Sequence, residues 1–285
     1  MHASVMKTVI LLLIHVISIQ CFALQIEKEP AMIISSVGDI SKDTLLAKDD
    51  TLAGDTPALK RPKENSSLIK IKSRLSPYVV PALFLSYGIM SLNNGAINRI
   101  DHELNHEMVE GRPFLPDPLE NNLQYAPVIA VYALNVAGIK GRSNFLDRSA
   151  MYFLSNSLTS FAVSFGKDKF SRVRPSGGLR SFPSGHTAIA FAGAEFMRQE
   201  YKDVSPWYGY AGYSVAALTG ALRMAHNKHW LSDVVAGAGI GILSTKFTYV
   251  AYPWLKEKVF GKKSNFQVLP SYQSKTFGLA FVASF

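Results

Sequence analysis

The stretch SFPSGHTAIAFAG, residues 181–193, sets a short polar entry, Pro183-Ser184-Gly185-His186, directly against a run of small and apolar residues. Ser184 reads as a helix N-cap, Gly185 lets the chain turn, and His186 falls in the first helical turn. The alanines and Gly193 that follow suit close helix packing, which points to a helical bundle. First-turn N–H groups have no partner inside a helix and the dipole is positive there, so the same entry suits an anion. These four residues alone leave both readings open.

The flanking sequence narrows them. Upstream, GKDKFSRVRPSGG (166–178) separates Lys167 by six residues from Arg174-Pro175. Downstream, GALRMAHNKHWLSDVVAG (220–237) places His229 after five residues from Arg223, and Asp233 after three more. A phosphate monoester is doubly negative near neutral pH and its charge moves in the transition state, so converging fixed cations stabilise it. Lys167, Arg174 and Arg223 offer three positive charges, and a guanidinium can grip oxygens bidentately. Ser184 and the Gly185 N–H add donors at the helix start. Asp233, four residues after His229, is placed on the same face if both are helical, where its carboxylate can fix the imidazole tautomer. His186 can supply a proton to a leaving oxygen. Singly, each has a plainer reading: a solvated basic loop, a helix cap, a first-turn acid.

In order, the three stretches resemble the signature of the type 2 phosphatidic acid phosphatase superfamily: KxxxxxxRP, then PSGH, then SRxxxxxHxxxD. The resemblance covers about residues 124–252. It implies an all-α bundle with its active site at one end and metal-independent phosphatase chemistry through a phosphohistidine, with no cofactor. It also implies His229 as nucleophile, Asp233 as its partner and His186 as acid and later base. Lys167, Arg174, Ser184, Gly185 and Arg223 then hold the phosphate. Leu222 stands where the family usually has serine, which removes one hydroxyl but no charge. Three other readings compete. His226, His229 and Asp233 can be taken as metal ligands on one helix face, although Arg223 and Lys228 repel a cation. Vanadium-dependent haloperoxidases share the superfamily. A non-catalytic binder of anionic head groups keeps the same residues.

The chain has 285 residues, 48% apolar and 18% charged, enough for one substantial core plus tails. Lys7 precedes TVILLLIHVISI and QCFA, the layout of a secretory signal cleaved after Ala23, with an uncleaved anchor as the alternative. Cys21 is the only cysteine and leaves with that signal, so disulfides and thiol chemistry drop out. A net charge of +9 suits acidic partners, and an exported chain meets anionic lipid rather than nucleic acid, for which no motif is present.

The expected organisation is a signal at 1–23, a polar arm at 24–76, a helical phosphatase domain at 77–256 and a tail at 257–285. Within the domain, about six apolar segments lie near 77–95, 124–139, 148–165, 185–197, 207–224 and 233–252, none with a clean ~20-residue apolar run. The acidic stretch 97–122 predicts a surface helix and loop. In the tail Phe277, Leu279, Phe281, Ala283 and Phe285 alternate strictly, which predicts a short β-hairpin. The terminal aromatic also resembles the end of an outer-membrane barrel strand, although one hairpin cannot close a barrel. Smooth helices favour the membrane lipid phosphatase branch over soluble periplasmic acid phosphatases. Its substrates include phosphatidic acid, undecaprenyl diphosphate and lipid A phosphates. Basic loops at 140–148 and 256–263, against the acidic 97–123 loop, place the motifs on the side away from the cytoplasm, facing the periplasm.

Overall fold

The computed structural model describes residues 66–110, 119–260, 265–273 and 276–284. The expected signal and most of the polar arm lie outside these residues. The chain divides into two units, Ser18–Val80 and the remainder; what is described of the first is the start of one helix.

Eight helices are described: α1 Ser66–Ser91, α2 Gly95–Glu110, α3 Leu119–Leu123, α4 Ala126–Val136, α5 Phe145–Phe170, α6 Gly185–Tyr201, α7 Pro206–Ala225 and α8 Leu231–Phe260. The body is all-α, as expected, and α1 begins at Ser66 rather than near 77. Local chemistry sets several boundaries. Asn94 accepts from the N–H groups of Ala96 and Ile97 at the start of α2. Asn144 accepts from Asp147 N to start α5, which ends at Ser171 in the left-handed region. Ser205 and Pro206 open α7. The tail forms β1 Asn265–Gln273 and β2 Thr276–Ser284, antiparallel, in a register that sets Tyr272 opposite Phe277 and Val268 opposite Phe281.

Helix α6, which carries the opening stretch, is the axis of the bundle. Nearly every residue from Thr187 to Tyr201 is buried. Small side chains allow this. An added Cβ at Gly241 would stand 2.2 Å from Ala188 O, and one at Gly237 would stand 2.5 Å from Ser184 O. The glycines face one strip of α6 four residues apart, so α6 and α8 meet backbone to backbone. Ala190, Phe191, Ala194, Tyr213, Ala216, Ala238 and Ile242 form the adjoining core.

Polarity in this bundle is partly inverted. Helix α5 buries Arg148, Ser155 and Thr159 while Phe153, Phe161 and Phe165 are each more than 60% exposed. Lys246, midway along α8, is buried against Glu195, which also receives Arg198 and the Tyr213 hydroxyl. At the end of α6, Glu200 accepts from Ser143, Arg148 and Tyr249. These carboxylates pin helices together, since a buried charge is tolerable only when paired. Helix α8, over Leu231–Val259, is long and apolar enough to cross a membrane, although Asp233 and Lys246 interrupt any clean apolar run. Its 18-residue window is 67% buried, so helix packing accounts for part of that apolarity.

Candidate active site

The three motifs meet at one end of the bundle, where α5 finishes, α6 begins and α7 passes into α8. The loop 171–184 joins α5 to α6 and is tied on itself: Ser181 N donates to Arg172 O at 2.8 Å and Gly177 N to Arg174 O at 3.0 Å. Its far end is fixed to α8, because Ser184 N donates to Asp233 O at 3.0 Å.

His229 lies in the turn before α8, not on a helix with Asp233, and only Asp233 is helical. The i, i+4 spacing nevertheless brings them together: His229 Nδ1 faces Asp233 Oδ2 at 3.6 Å, with both side chains buried. That separation is longer than a hydrogen bond, and Nδ1 has no hydrogen-bond partner among the described residues. Asp233 is held from both sides. Oδ1 accepts from Arg172 at 2.9 Å, and Oδ2 accepts from Trp230 N at 3.0 Å and from the Ser181 hydroxyl.

Burial is the main influence holding the His186 pKa down to about 4, aided by Arg223 and His229. Burial likewise lowers His229 to about 4, where Asp233 opposes the shift and Arg223 and Lys167 add to it. Both imidazoles are therefore neutral at pH 7. Lys167 falls to about 8 through burial and then the charge of Arg174. These mutual influences put Lys167, Arg174, His186, Arg223, His229 and Asp233 in one electrostatic neighbourhood. Gly185 joins it, since a Cβ there would lie 4.0 Å from Lys167 Cε. Lys167 Nζ donates to Arg180 O and Arg174 Nε to Leu179 O, so the loop carbonyls orient both cations.

Two expectations change in detail. Ser184 occupies the N-cap of α6, but its side chain makes no capping bond and its hydroxyl pairs with Thr187 Oγ1 at 2.8 Å. The first-turn N–H groups are thus not consumed by their own cap. His226 does not share a ligand face with His229 and Asp233; it caps α7 and stands 3.0 Å from Glu120.

The spacing of the motifs gave no sign of three further residues. Glu120 on α3 is buried and pairs with Arg223 at 3.0 Å. Asp101 on α2 and Arg172 in the loop are ion-paired at 2.8 Å. The acidic stretch 97–122 is therefore more than a surface helix and loop, since two of its carboxylates reach into the site.

A family model described as the PAP2 superfamily matches residues 160–257, a span that contains every motif residue from Lys167 to Asp233. Residues 160–257 are thus similar to the PAP2 superfamily. A curated relative, the lipid A 1-phosphatase of Porphyromonas gingivalis, is 40% identical over 144 residues, covering 50% of this chain and 32% of that protein. The chain thus spans about a third of the length of that relative. Among solved structures, the crystal structure of Aquifex aeolicus LpxE aligns at 22% identity with a TM-score of 0.44, covering 53% of this chain and 95% of that one. The Bacillus subtilis transmembrane PAP2-type phosphatidylglycerolphosphate phosphatase aligns at 20% identity with a TM-score of 0.47, covering 66% and 98%. The Leu222 departure from the PAP2 pattern is accommodated as packing, with that side chain 2% exposed.

Proposed function

We propose that this chain is a PAP2-type phosphatase of membrane lipid phosphates that works through a phosphohistidine without a metal. The observation that carries the proposal is His229, buried, with its pKa held down to about 4 chiefly by burial, its Nδ1 turned to Asp233, and Arg223 and Lys167 close enough to lower that pKa further. Nε2 attacks phosphorus, the bond to the leaving oxygen breaks, and His186 gives that oxygen a proton. The cations and the first-turn N–H groups of α6 hold the charge on the equatorial oxygens. Asp233 accepts from Nδ1–H and stabilises the charged ring, their 3.6 Å separation closing as substrate is taken up. Water then adds to phosphorus, His186 takes its proton, the P–N bond breaks and inorganic phosphate leaves. A dianionic phosphate opposes Arg223, one of the causes of the low His186 pKa, so the acid gains its proton together with the substrate.

Charge placement supports a lipid substrate. Residues 149–166 of α5 carry no charged side chain, a length of about 27 Å at 1.5 Å per residue. That is close to the ~30 Å of a hydrocarbon core. Residues 75–98 and 204–222 are likewise uncharged, and exposed Leu83, Ile89, Met90, Phe247 and Trp254 continue the apolar surface. A lipid head group at the end of such a bundle meets the site while its chains stay beside the helices. The name of the curated relative, lipid A 1-phosphatase, favours a phosphate of that class. Basic residues at the other end, including Lys140, Arg142, Lys256 and Lys258, favour a site facing the periplasm.

The test is turnover of matched long-chain and water-soluble phosphate monoesters by the detergent-purified chain, each at saturation. Higher turnover of the lipid, and extraction by detergent but not by salt, is the expected result. Equal turnover of the soluble ester with release by salt alone would identify a soluble periplasmic acid phosphatase instead.

Chelation gives a second expectation. EDTA leaves turnover unchanged, because protein cations supply the charge, and vanadate inhibits by taking the trigonal-bipyramidal form at His229. Activity lost in EDTA and restored by zinc or magnesium would overturn the metal-free mechanism. Halide oxidation by the vanadate-loaded chain, with no phosphatase activity in its absence, would establish the haloperoxidase alternative.

A further inference from the structure

We propose that Arg172 and Asp101 are positioning residues that fix the Asp233 carboxylate behind His229, an inference that rests on the phosphatase reading above. The Arg172 guanidinium holds two carboxylates at once. Its Nη1 donates to Asp233 Oδ1 at 2.9 Å and Ser232 Oγ at 2.7 Å; its Nη2 donates to Asp101 Oδ2 at 2.8 Å and Asn98 Oδ1 at 3.1 Å. Asp101 in turn accepts from Ser232 N at 3.0 Å and from Ser232 Oγ at 2.5 Å. Consecutive residues of the first turn of α8 are therefore braced by one arginine and one aspartate from separate segments.

The brace has an electrostatic purpose. Asp101 and Asp233 have no exposed side-chain surface, and each is ion-paired to the Arg172 guanidinium that sits between them. The Trp230 ring covers the guanidinium with its centroid at 5.7 Å, and Trp230 Nε1 is anchored to Val173 O at 2.8 Å. With Oδ1 on Arg172, and Oδ2 on Ser181 and Trp230 N, the carboxylate cannot rotate away from His229. Arg172 then acts on the reaction through Asp233, whereas Lys167, Arg174 and Arg223 act on the phosphate.

Deleting one member of a buried ion network endangers folding, so the test uses conservative variants: Arg172→Lys, which keeps charge but loses the planar fork, and Asp101→Asn. Each is made in the wild type and in an Asp233→Asn background, as full chain in detergent, with rates on a long-chain phosphate monoester normalised to folded protein. Each single substitution is expected to lower kcat by about ten- to a hundredfold, the usual scale for residues that orient a reacting group. KM should stay within about twofold, because the phosphate cations are untouched. In the Asp233→Asn background the same substitutions should change kcat by less than about twofold, since their route to His229 is already broken. Equal fold-losses in both backgrounds, or a raised KM with kcat kept, would overturn the proposal. A wild type active on the ester beside unimpaired Arg172→Lys and Asp101→Asn variants would refute this inference alone. A wild type without turnover of any phosphate ester would remove the phosphatase reading and this inference with it.

Discussion

His229→Ala is expected to reduce turnover by a thousandfold or more, on the order seen when a nucleophile that works as part of a unit is removed. Helical content should be unchanged. The side chain is buried, but it sits in the turn before α8 and not within a helix, so its truncation removes no helical residue. Asp233→Asn should be less severe, because it misorients the imidazole instead of deleting it. His186 is separable by leaving group. His186→Asn should stop alkyl phosphates while sparing phosphoryl transfer from an aryl phosphate whose oxygen leaves without a proton. The measurements are steady-state turnover and trapping of a phosphorylated enzyme. A His229→Ala variant that keeps more than a few per cent of activity removes it from the nucleophile's place.

Gly241→Ala is the substitution expected to harm folding most for its size. Alanine is favoured over glycine in a helix by about 1 kcal/mol, so propensity alone argues for stabilisation. The new methyl would stand 2.2 Å from Ala188 O and 2.8 Å from Ala192 N, backbone atoms that cannot rotate aside. Overpacking costs roughly 1–3 kcal/mol and occasionally more, and this contact belongs at the upper end. Gly237→Ala forces out Ser184 O instead, at 2.5 Å, and with it the turn that carries His186. It should therefore lower turnover beyond what its loss of thermal stability explains. Thermal unfolding in detergent, read beside activity, separates the two; a raised midpoint for Gly241→Ala would show that the helices part at no cost.

Much of this was legible because it is local. The entry Pro183-Ser184-Gly185-His186, the turn from α7 to α8 and the alternation in the tail each carry their signal within a few residues. The i, i+4 spacing of His229 and Asp233 succeeded for a different reason from the one that suggested it. A turn leading into a helix brings those positions together as a continuous helix does. Partners distant in sequence were invisible. Arg172 and Asp101 lie 71 residues apart, and Arg223 and Glu120 lie 103 apart, with no periodicity to connect them. The segment near 148–165 does fall within α5, but which of its faces is buried was not legible. Its serines and Asn156 lower its average apolarity, although its phenylalanines are the side chains that point outward.

The reach of Arg172 also bears on how much of this chain could be excised as a working module. The family match begins at residue 160 and contains every motif. It omits Ser91, Asn98, Asp101 and Glu120, which satisfy Arg172 and Arg223 from upstream helices. A fragment cut at the match would keep the motif residues, but Arg172 would lose Asp101 while retaining Asp233, and Arg223 would lose Glu120. The boundary of recognisable ancestry is thus narrower than the boundary of competence. Grafting or minimising this site is expected to require α2 and α3 to travel with the motifs.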